Sequence, residues 1–279
     1  MKFAHFSDFH FAASSWSPLQ FLSKRWLGNF NFLLSRRYLY DPHRLFSLPD
    51  FLEKEKVAQA VICGDLSTTG RKQEFSLAAD LIKKIEAKGV QTTTIPGNHD
   101  HYTKKGYRKK WFYDYFPEDR LKTQTVTAKS LGNGWWIVAL DTALATSWTS
   151  SRGFFSPETE TSLIQTLSDI PKHDSAILIN HFPFFQHDSP RKNLERGPAL
   201  QHLLRQQPKV KLFLHGHTHR HCIADLRPDG LPIILDSGSA PHRQYGTWNL
   251  IDLTPQKCEV KVVVWKDGWN IDRKLEFAW

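Results

Sequence analysis

The chain contains only three cysteines and one methionine among its 279 residues. A sparse, odd set of cysteines, each in or beside an apolar run, argues against a disulfide framework and favours a reducing compartment. No stretch approaches the roughly 20 apolar residues that a membrane-spanning helix needs. The amino-terminal MKFAHFSDFH breaks its short apolar run at Asp8, so the sequence predicts no signal peptide. We therefore expect a cytoplasmic protein.

Internal linkers, repeats and low-complexity tracts are also lacking, which predicts a single domain over residues 1–279. Short apolar runs alternate with longer amphipathic ones, a pattern typical of strands separated by crossover helices. From residue 231 onward the apolar runs follow one another without an intervening helix, as in antiparallel strands. We predict an α/β fold, a four-layer αββα sandwich of two packed mixed β-sheets with outer helices.

The formal net charge of +9 is concentrated in residues 1–50, 101–122 and 186–220. Such local excess of Lys and Arg points to anionic partners. Phosphate-bearing substrates, nucleic acid and an anionic lipid surface all fit this charge, and the charge does not choose among them.

Polar side chains follow five of the predicted strands at the point where each strand ends. The strands at 3–7, 57–63, 91–95, 175–180 and 210–214 run into Asp8 and His10; Asp65; Asn98, His99 and Asp100; His181; and His217 and His219. Ligands of wound α/β sheets bind at the carboxyl ends of the strands. We therefore expect these side chains to meet in one crevice.

Their chemistry predicts a metal site. In Asp-x-His and His-x-His the first and third side chains of an extended segment point the same way. Glycine beside Asp65, Asn98 and His217 would let the backbone approach a metal or phosphate closely. Carboxylate, amide and imidazole donors without cysteine suit Mn²⁺, Fe or Zn²⁺ in a catalytic site. Seven candidate ligands fit two ions, about 3.5–4 Å apart, that share one carboxylate.

Taken in order, these motifs resemble those of the calcineurin-like metallophosphoesterase superfamily. They read Asp8-Phe9-His10, Gly64-Asp65, Gly97-Asn98-His99-Asp100, His181 and Gly216-His217-Thr218-His219. Their order is similar to that of bacterial-type, small cyclic-nucleotide phosphodiesterases.

The resemblance implies a role for each of these residues. One ion would be held by Asp8, His10, Asp65 and His219, and the other by Asp65, Asn98, His181 and His217, with Asp65 bridging. A hydroxide between the two ions, with Mn²⁺ favoured over Fe or Zn²⁺, would attack phosphorus in line. His99 would protonate the leaving oxygen or stabilise negative charge, and Asp100 would orient His99.

The function that follows is a dinuclear metal-dependent phosphoesterase that hydrolyses a phosphodiester or pyrophosphate bond of a small-molecule, nucleotide or lipid-linked substrate. One alternative is a metal-dependent nuclease that uses the basic windows as a phosphate track. A second is a non-catalytic interaction module on the same fold, which could dispense with ligands, although all seven ligand positions are filled.

An inserted basic and aromatic helical segment is predicted at about residues 14–50, because the interval from His10 to Asp65 is longer than a compact crossover requires. On a helix, Leu19, Leu22, Trp26, Phe30 and Leu33 form one apolar stripe. The stripe would pack on the protein's own sheet, form a lid over the metal crevice, or lie at a membrane surface. In the last case Trp26 and Phe30 would face the acyl boundary, and Arg36 and Arg37 the anionic headgroups of the inner face.

Overall fold

Two six-stranded mixed sheets form the centre of the computed structural model, which describes residues 1–13, 37–147 and 149–279. The first sheet has the order β14-β13-β12-β1-β2-β3, with β1 (Lys2–Phe6), β2 (Gln59–Ile62), β3 (Gln91–Thr94), β12 (Thr247–Leu253), β13 (Lys257–Trp265) and β14 (Trp269–Ala278). Strands β1, β2 and β3 are parallel, whereas β12 pairs with β1 in the antiparallel sense.

The second sheet has the order β10-β11-β9-β7-β5-β4, with β4 (Val126–Gly132), β5 (Trp135–Leu140), β7 (Ser175–Ile179), β9 (Val210–His215), β10 (His221–Asp225) and β11 (Ile233–Ser237). Its four central strands are parallel and its two edge strands, β4 and β10, are antiparallel. The short strands β6 (Gly153–Phe154) and β8 (Leu194–Glu195) pair separately.

Helices flank the sheets. They are α1 (Arg37–Leu39, a single turn), α2 (Leu48–Lys54), α3 (Lys72–Glu86), α4 (Lys104–Arg108), α5 (Asp119–Gln124), α6 (Pro157–Asp169) and α7 (Gly197–Arg205). Short 3-10 helices cover Pro42–Ser47, Trp111–Asp114 and Arg227–Asp229. None of the helices in these described ranges is long and apolar enough to cross a membrane.

Side chains that alternate between the two faces of each strand build the layers of the fold. On β7, Ile177 and Ile179 belong to the core that is shared with the first sheet, whereas Leu178 packs with Leu163 of α6 and Leu200 of α7. Successive side chains of a strand point to opposite faces, so each sheet buries one face against the other sheet and one against helices. The predicted four-layer αββα sandwich is confirmed.

The predicted insertion is only partly described. Its residues 14–36, which include Trp26, Phe30 and Arg36, lie outside the described residues, and Arg37 opens the single turn α1. The remainder consists of short helical pieces rather than one helix. Leu45, Leu48 and Leu52 bury fully into the core of the first sheet, so this end of the segment packs on the protein itself.

Candidate active site

The seven predicted metal ligands come together at the carboxyl ends of β1, β2, β3, β7 and β9. In the first group, ligand atoms of Asp8, His10, Asp65 and His219 all lie within 4.8 Å of one another. The His10 Nε2 and His219 Nε2 atoms are 3.0 Å apart, and Asp8 Oδ1 is 3.1 Å from His219 Nε2. Carboxylate oxygens and imidazole nitrogens that converge in this way are the donors of a divalent transition metal.

A second group of donors lies on the other side of Asp65. His181 Nε2 is 3.2 Å from Asn98 Oδ1 and 3.2 Å from His217 Nδ1. Asp65 Oδ1 is 3.6 Å from His181 Nε2, while Asp65 Oδ2 is 3.9 Å from His10 Nε2. One carboxylate thus presents one oxygen to each group, which is the position that a bridging ligand requires.

Hydrogen bonds behind the ligands select which ring nitrogen faces the site. Nδ1–H of His181 donates to the Cys63 carbonyl oxygen at 2.7 Å, so its Nε2 faces the donors. Nε2–H of His217 donates to the Lys192 carbonyl oxygen at 2.8 Å, so its Nδ1 faces His181. Such outer partners fix the tautomer and orientation of metal-binding imidazoles.

The surroundings of these groups favour the protonation states in which they can bind a metal ion. Burial lowers the pKa of His181, and burial together with the charge of His181 holds the pKa of His217 well below its usual value. Burial by itself would raise the pKa of Asp8, but the nearby His219, His181 and His10 outweigh burial and lower it. Neutral imidazoles and an ionised carboxylate are the states that bind a cation.

The prediction that the Asp-x-His and His-x-His motifs have an extended backbone is wrong. Asp8, His10, Asp65, His217 and His219 have φ values of 57°, 50°, 54°, 71° and 57°. These are left-handed conformations, not the extended ones from which the Asp-x-His and His-x-His spacing was interpreted. Non-glycine residues in this region carry strain of about 1–3 kcal/mol each, and such strain concentrates at functional sites.

Glycines admit the ligand side chains themselves. A Cβ on Gly216 would lie 1.7 Å from Ser7 Oγ and 2.6 Å from Asp8 Oδ2, and one on Gly97 would lie 2.2 Å from Asp65 Oδ1. The glycines therefore allow the close approach that the sequence predicts. In this structure, the groups that lie against the glycine backbone are side chains of the protein itself, including Asp8 and Asp65.

His99 lies at the edge of the first group. Its backbone N–H donates to Asp65 Oδ1 at 2.8 Å, and its Nδ1 is 2.6 Å from the Thr68 carbonyl oxygen. Its ring stacks on Tyr102 and meets the His10 ring edge-on, with centroids 5.0 Å apart. A proton donor to a leaving group needs this proximity together with a fixed ring.

The prediction that Asp100 orients His99 is wrong. Asp100 Oδ1 accepts hydrogen bonds from the backbone N–H and the hydroxyl of Ser67, at 2.9 and 2.7 Å. Its Oδ2 accepts from the N–H groups of Gly97 and Leu66, at 2.9 and 3.2 Å. The buried carboxylate therefore ties the loop after β3 to the loop after β2, and supports the site through the backbone.

Sequence reasoning missed two supporting residues. The Tyr40 hydroxyl is 2.8 Å from His219 Nδ1, and the Ser239 hydroxyl donates to the Asp8 carbonyl oxygen at 2.7 Å. A lone tyrosine that follows a basic segment carries no spacing signal. Ser239 lies in a stretch, Asp236-Ser237-Gly238-Ser239, that a search for metal donors passes over.

Solved structures of other proteins share the fold of this chain. Among solved structures, the chain is similar to a dimetal phosphatase from Danio rerio, with a TM-score of 0.71 and 14% identity over 99% of this chain and 98% of that one. It is also similar to purple acid phosphatase PPD1 from yellow lupin seeds, with a TM-score of 0.63 and 13% identity over 99% of this chain and 53% of that one. At such identities the likeness shows the fold alone.

No curated protein matches the chain. The family model of the calcineurin-like phosphoesterases matches residues 1–221, which is most of the sequence and the range in which the seven predicted ligands lie. The chain therefore belongs to the calcineurin-like phosphoesterase family.

Proposed function

We propose that the protein hydrolyses a phosphodiester or pyrophosphate bond with the help of two divalent metal ions. The observation that carries this proposal is the pair of donor groups on either side of Asp65, whose two oxygens face His10 and His181. Asp8, His10 and His219 would complete one ion's site, and Asn98, His181 and His217 the other's. When bound, the ions would supply a nucleophile at neutral pH and neutralise phosphoryl charge. We favour Mn²⁺ for both sites.

His99 would act on the leaving group. With Nδ1 held at the Thr68 carbonyl oxygen, Nε2 is the atom of the ring that donates a proton to the departing oxygen. The stacked Tyr102 ring limits rotation of the imidazole. Protonation of the leaving oxygen accelerates the hydrolysis of a diester or pyrophosphate most when that oxygen is strongly basic.

The substrate would be a phosphate-bearing small molecule, either a nucleotide or a lipid-linked compound. We place the protein in the cytoplasm, with peripheral contact at the anionic inner face of the membrane through the segment that contains Trp26, Phe30, Arg36 and Arg37. The basic composition of this segment supports the proposal.

The central test is hydrolysis of bis(p-nitrophenyl) phosphate by protein loaded with Mn²⁺. We expect His99→Ala to lower kcat by about 100-fold or more on a diester whose leaving group is a strongly basic alkoxide, and by much less on bis(p-nitrophenyl) phosphate, while the metal content stays at the wild-type value. Asp65→Asn should lower both activity and metal content, measured by elemental analysis. His173→Ala is the matched control, because His173 is exposed on the surface and should leave both unchanged. Wild-type protein that binds metal without hydrolysing any diester or pyrophosphate would contradict the proposal.

A further inference from the structure

A groove of about 600 Å³ opens beside His219 and runs over β12, β13 and β14. Its walls are formed by the loop after β9, with Arg220, the loop that contains Tyr245, and residues of β13 and β14 such as Arg273. A volume of this size accommodates a substantial organic group. His219 belongs both to the first donor group and to the lining of the groove, so the groove adjoins the candidate metal site.

The charge of the groove is positive and largely unneutralised. Lys266 and Asp272 also line it, but they form an ion pair at 2.7 Å and cancel each other. The Arg220 guanidinium makes no ion pair or hydrogen bond with any residue that the structure describes. Arg273 makes no ion pair with a described residue, and its nearest hydrogen-bond partner is His221 Nδ1 at 3.5 Å.

Other basic side chains near the active site are differently arranged. Arg243 pairs with Asp41 at 3.3 Å, and both terminal nitrogens of Arg44 donate to backbone carbonyl oxygens of residues 242 and 243. Arg243 and Arg44 therefore stabilise the loop around residues 242 and 243. The guanidinium N–H groups of Arg220 and Arg273, in contrast, remain available to a ligand. Two guanidinium groups in one groove provide the paired donors that match the oxygens of a phosphate.

We propose that this groove binds a second phosphate group of the substrate, contacted by Arg220 and Arg273. This inference rests on the proposed function and extends it, because it assigns the substrate class: an organic phosphate that carries another phosphate beyond the reacting one. The first phosphate lies at the donors around Asp65, and the second lies in the groove on the far side of His219. Selectivity then comes from charge in the groove rather than from the donors themselves.

The test compares the binding of two nucleotides that differ by one phosphate. Titration calorimetry with Mn²⁺-loaded protein measures the Kd of thymidine 5′-phosphate and of thymidine 3′,5′-bisphosphate. We expect the wild-type protein to prefer the bisphosphate by about tenfold or more, the effect of added charge-assisted hydrogen bonds. Arg220→Gln and Arg273→Gln should each reduce this preference, the double variant should abolish it, and Arg273→Lys should restore part of it.

Arg120→Gln is the control, because Arg120 is an exposed arginine of α5 outside the groove and should leave the preference unchanged. A preference that survives in the double variant, or that Arg120→Gln reduces equally, would overturn the assignment, as would a wild-type protein with no preference. The same preparations are assayed on bis(p-nitrophenyl) phosphate. Inactive protein that still shows an arginine-dependent preference would contradict the proposed function alone, while active protein without it would contradict the groove alone.

Discussion

Tyr40 links the carboxyl-terminal part of the predicted insertion to the candidate metal centre. Its hydroxyl lies 2.8 Å from Nδ1 of His219, and the opposite nitrogen of the same ring faces Asp8. The Tyr40 ring also packs edge-on against His10, with centroids 5.3 Å apart. A single side chain thus positions two donors of the first group.

We predict that Tyr40→Phe weakens the affinity for Mn²⁺ by about 10–100-fold, because loss of an outer hydrogen bond releases the orientation of the ligand ring. Titration of metal-free protein with Mn²⁺ measures the effect. Tyr115→Phe is the control, since Tyr115 packs against Phe75 and its hydroxyl makes no hydrogen bond with a residue in the described ranges. Affinity of Tyr40→Phe within twofold of the wild-type value would contradict the prediction.

At the scale of elements, the loops after β1 and β9 fit together with almost no free space. Gly216 lies where a side chain would overlap Ser7, and the N–H of the next residue, His217, donates to Asp8 Oδ2 at 3.0 Å. At the site, the backbone of the loop after β9 therefore contacts the side chains of Ser7 and Asp8 after β1, so a ligand carried by one sheet is held by the other.

Gly216→Ala should accordingly lower the free energy of unfolding by about 3 kcal/mol or more, because the backbone must shift to relieve the overlap. The same shift should weaken the affinity for Mn²⁺. Urea unfolding and metal titration measure the two effects. Gly230→Ala is the control: a methyl group there meets no atom within 4 Å, and only backbone strain of about 1–2 kcal/mol remains at its φ of +73°. Wild-type metal affinity in Gly216→Ala would show that the contact is not needed.

The inserted segment has its own prediction, which concerns Arg37 and three residues outside the described part of the chain, Trp26, Phe30 and Arg36. If the stripe lies at a membrane surface, the double variant Trp26→Ala with Phe30→Ala should lose flotation with liposomes that contain anionic lipid, since the aromatic side chains supply the apolar contact. Arg36→Gln with Arg37→Gln should lose flotation mainly at low salt. Hydrolysis of bis(p-nitrophenyl) phosphate by the same proteins separates membrane contact from catalysis. Unchanged flotation of both double variants would remove the membrane interpretation.

At the scale of the whole molecule, buried histidines make stability depend on pH. His5 of β1 is completely buried; burial, with the charges of His215 and His221, lowers its pKa to about 3. The unfolded chain takes up this proton near pH 6.5, whereas the folded protein does not take it up until the pH approaches 3. Below pH 6.5 the unfolded state therefore binds more protons, and the free energy of unfolding falls as the pH falls.

We predict that His5→Gln flattens this dependence between pH 6.5 and 4 by up to a few kcal/mol, because each unit of pKa difference contributes about 1.4 kcal/mol. Urea unfolding of metal-free protein at a series of pH values provides the measurement. His173→Gln, at an exposed position, should retain the wild-type slope. A slope in His5→Gln that equals the wild-type slope would show that His5 does not contribute.

Several elements and much of the candidate site could be predicted from the sequence, because their signals are local. The apolar run of β7 and the polar residues that follow the parallel strands are visible as patterns in the chain. In contrast, β14 (Trp269–Ala278) was not predicted, because Arg273 interrupts the apolar alternation of Trp269, Ile271, Leu275 and Phe277 and most of the strand is exposed. Residues 194–206 have the amphipathic pattern of one helix, but α7 begins at Gly197, because Leu194–Glu195 pairs with Gly153–Phe154 far away in the chain.

The sequence by itself determined the layered α/β fold and the set of donor residues, because strand periodicity and residue type are properties of short segments. Only the tertiary structure decided how the donors meet: through left-handed residues such as Asp8 and His219, through the glycine contact at Gly216, through the hydrogen bond between Tyr40 and His219, and through the hydrogen bonds that Asp100 accepts. These contacts join residues that are distant in sequence, so their partners exist only once both sheets have packed together.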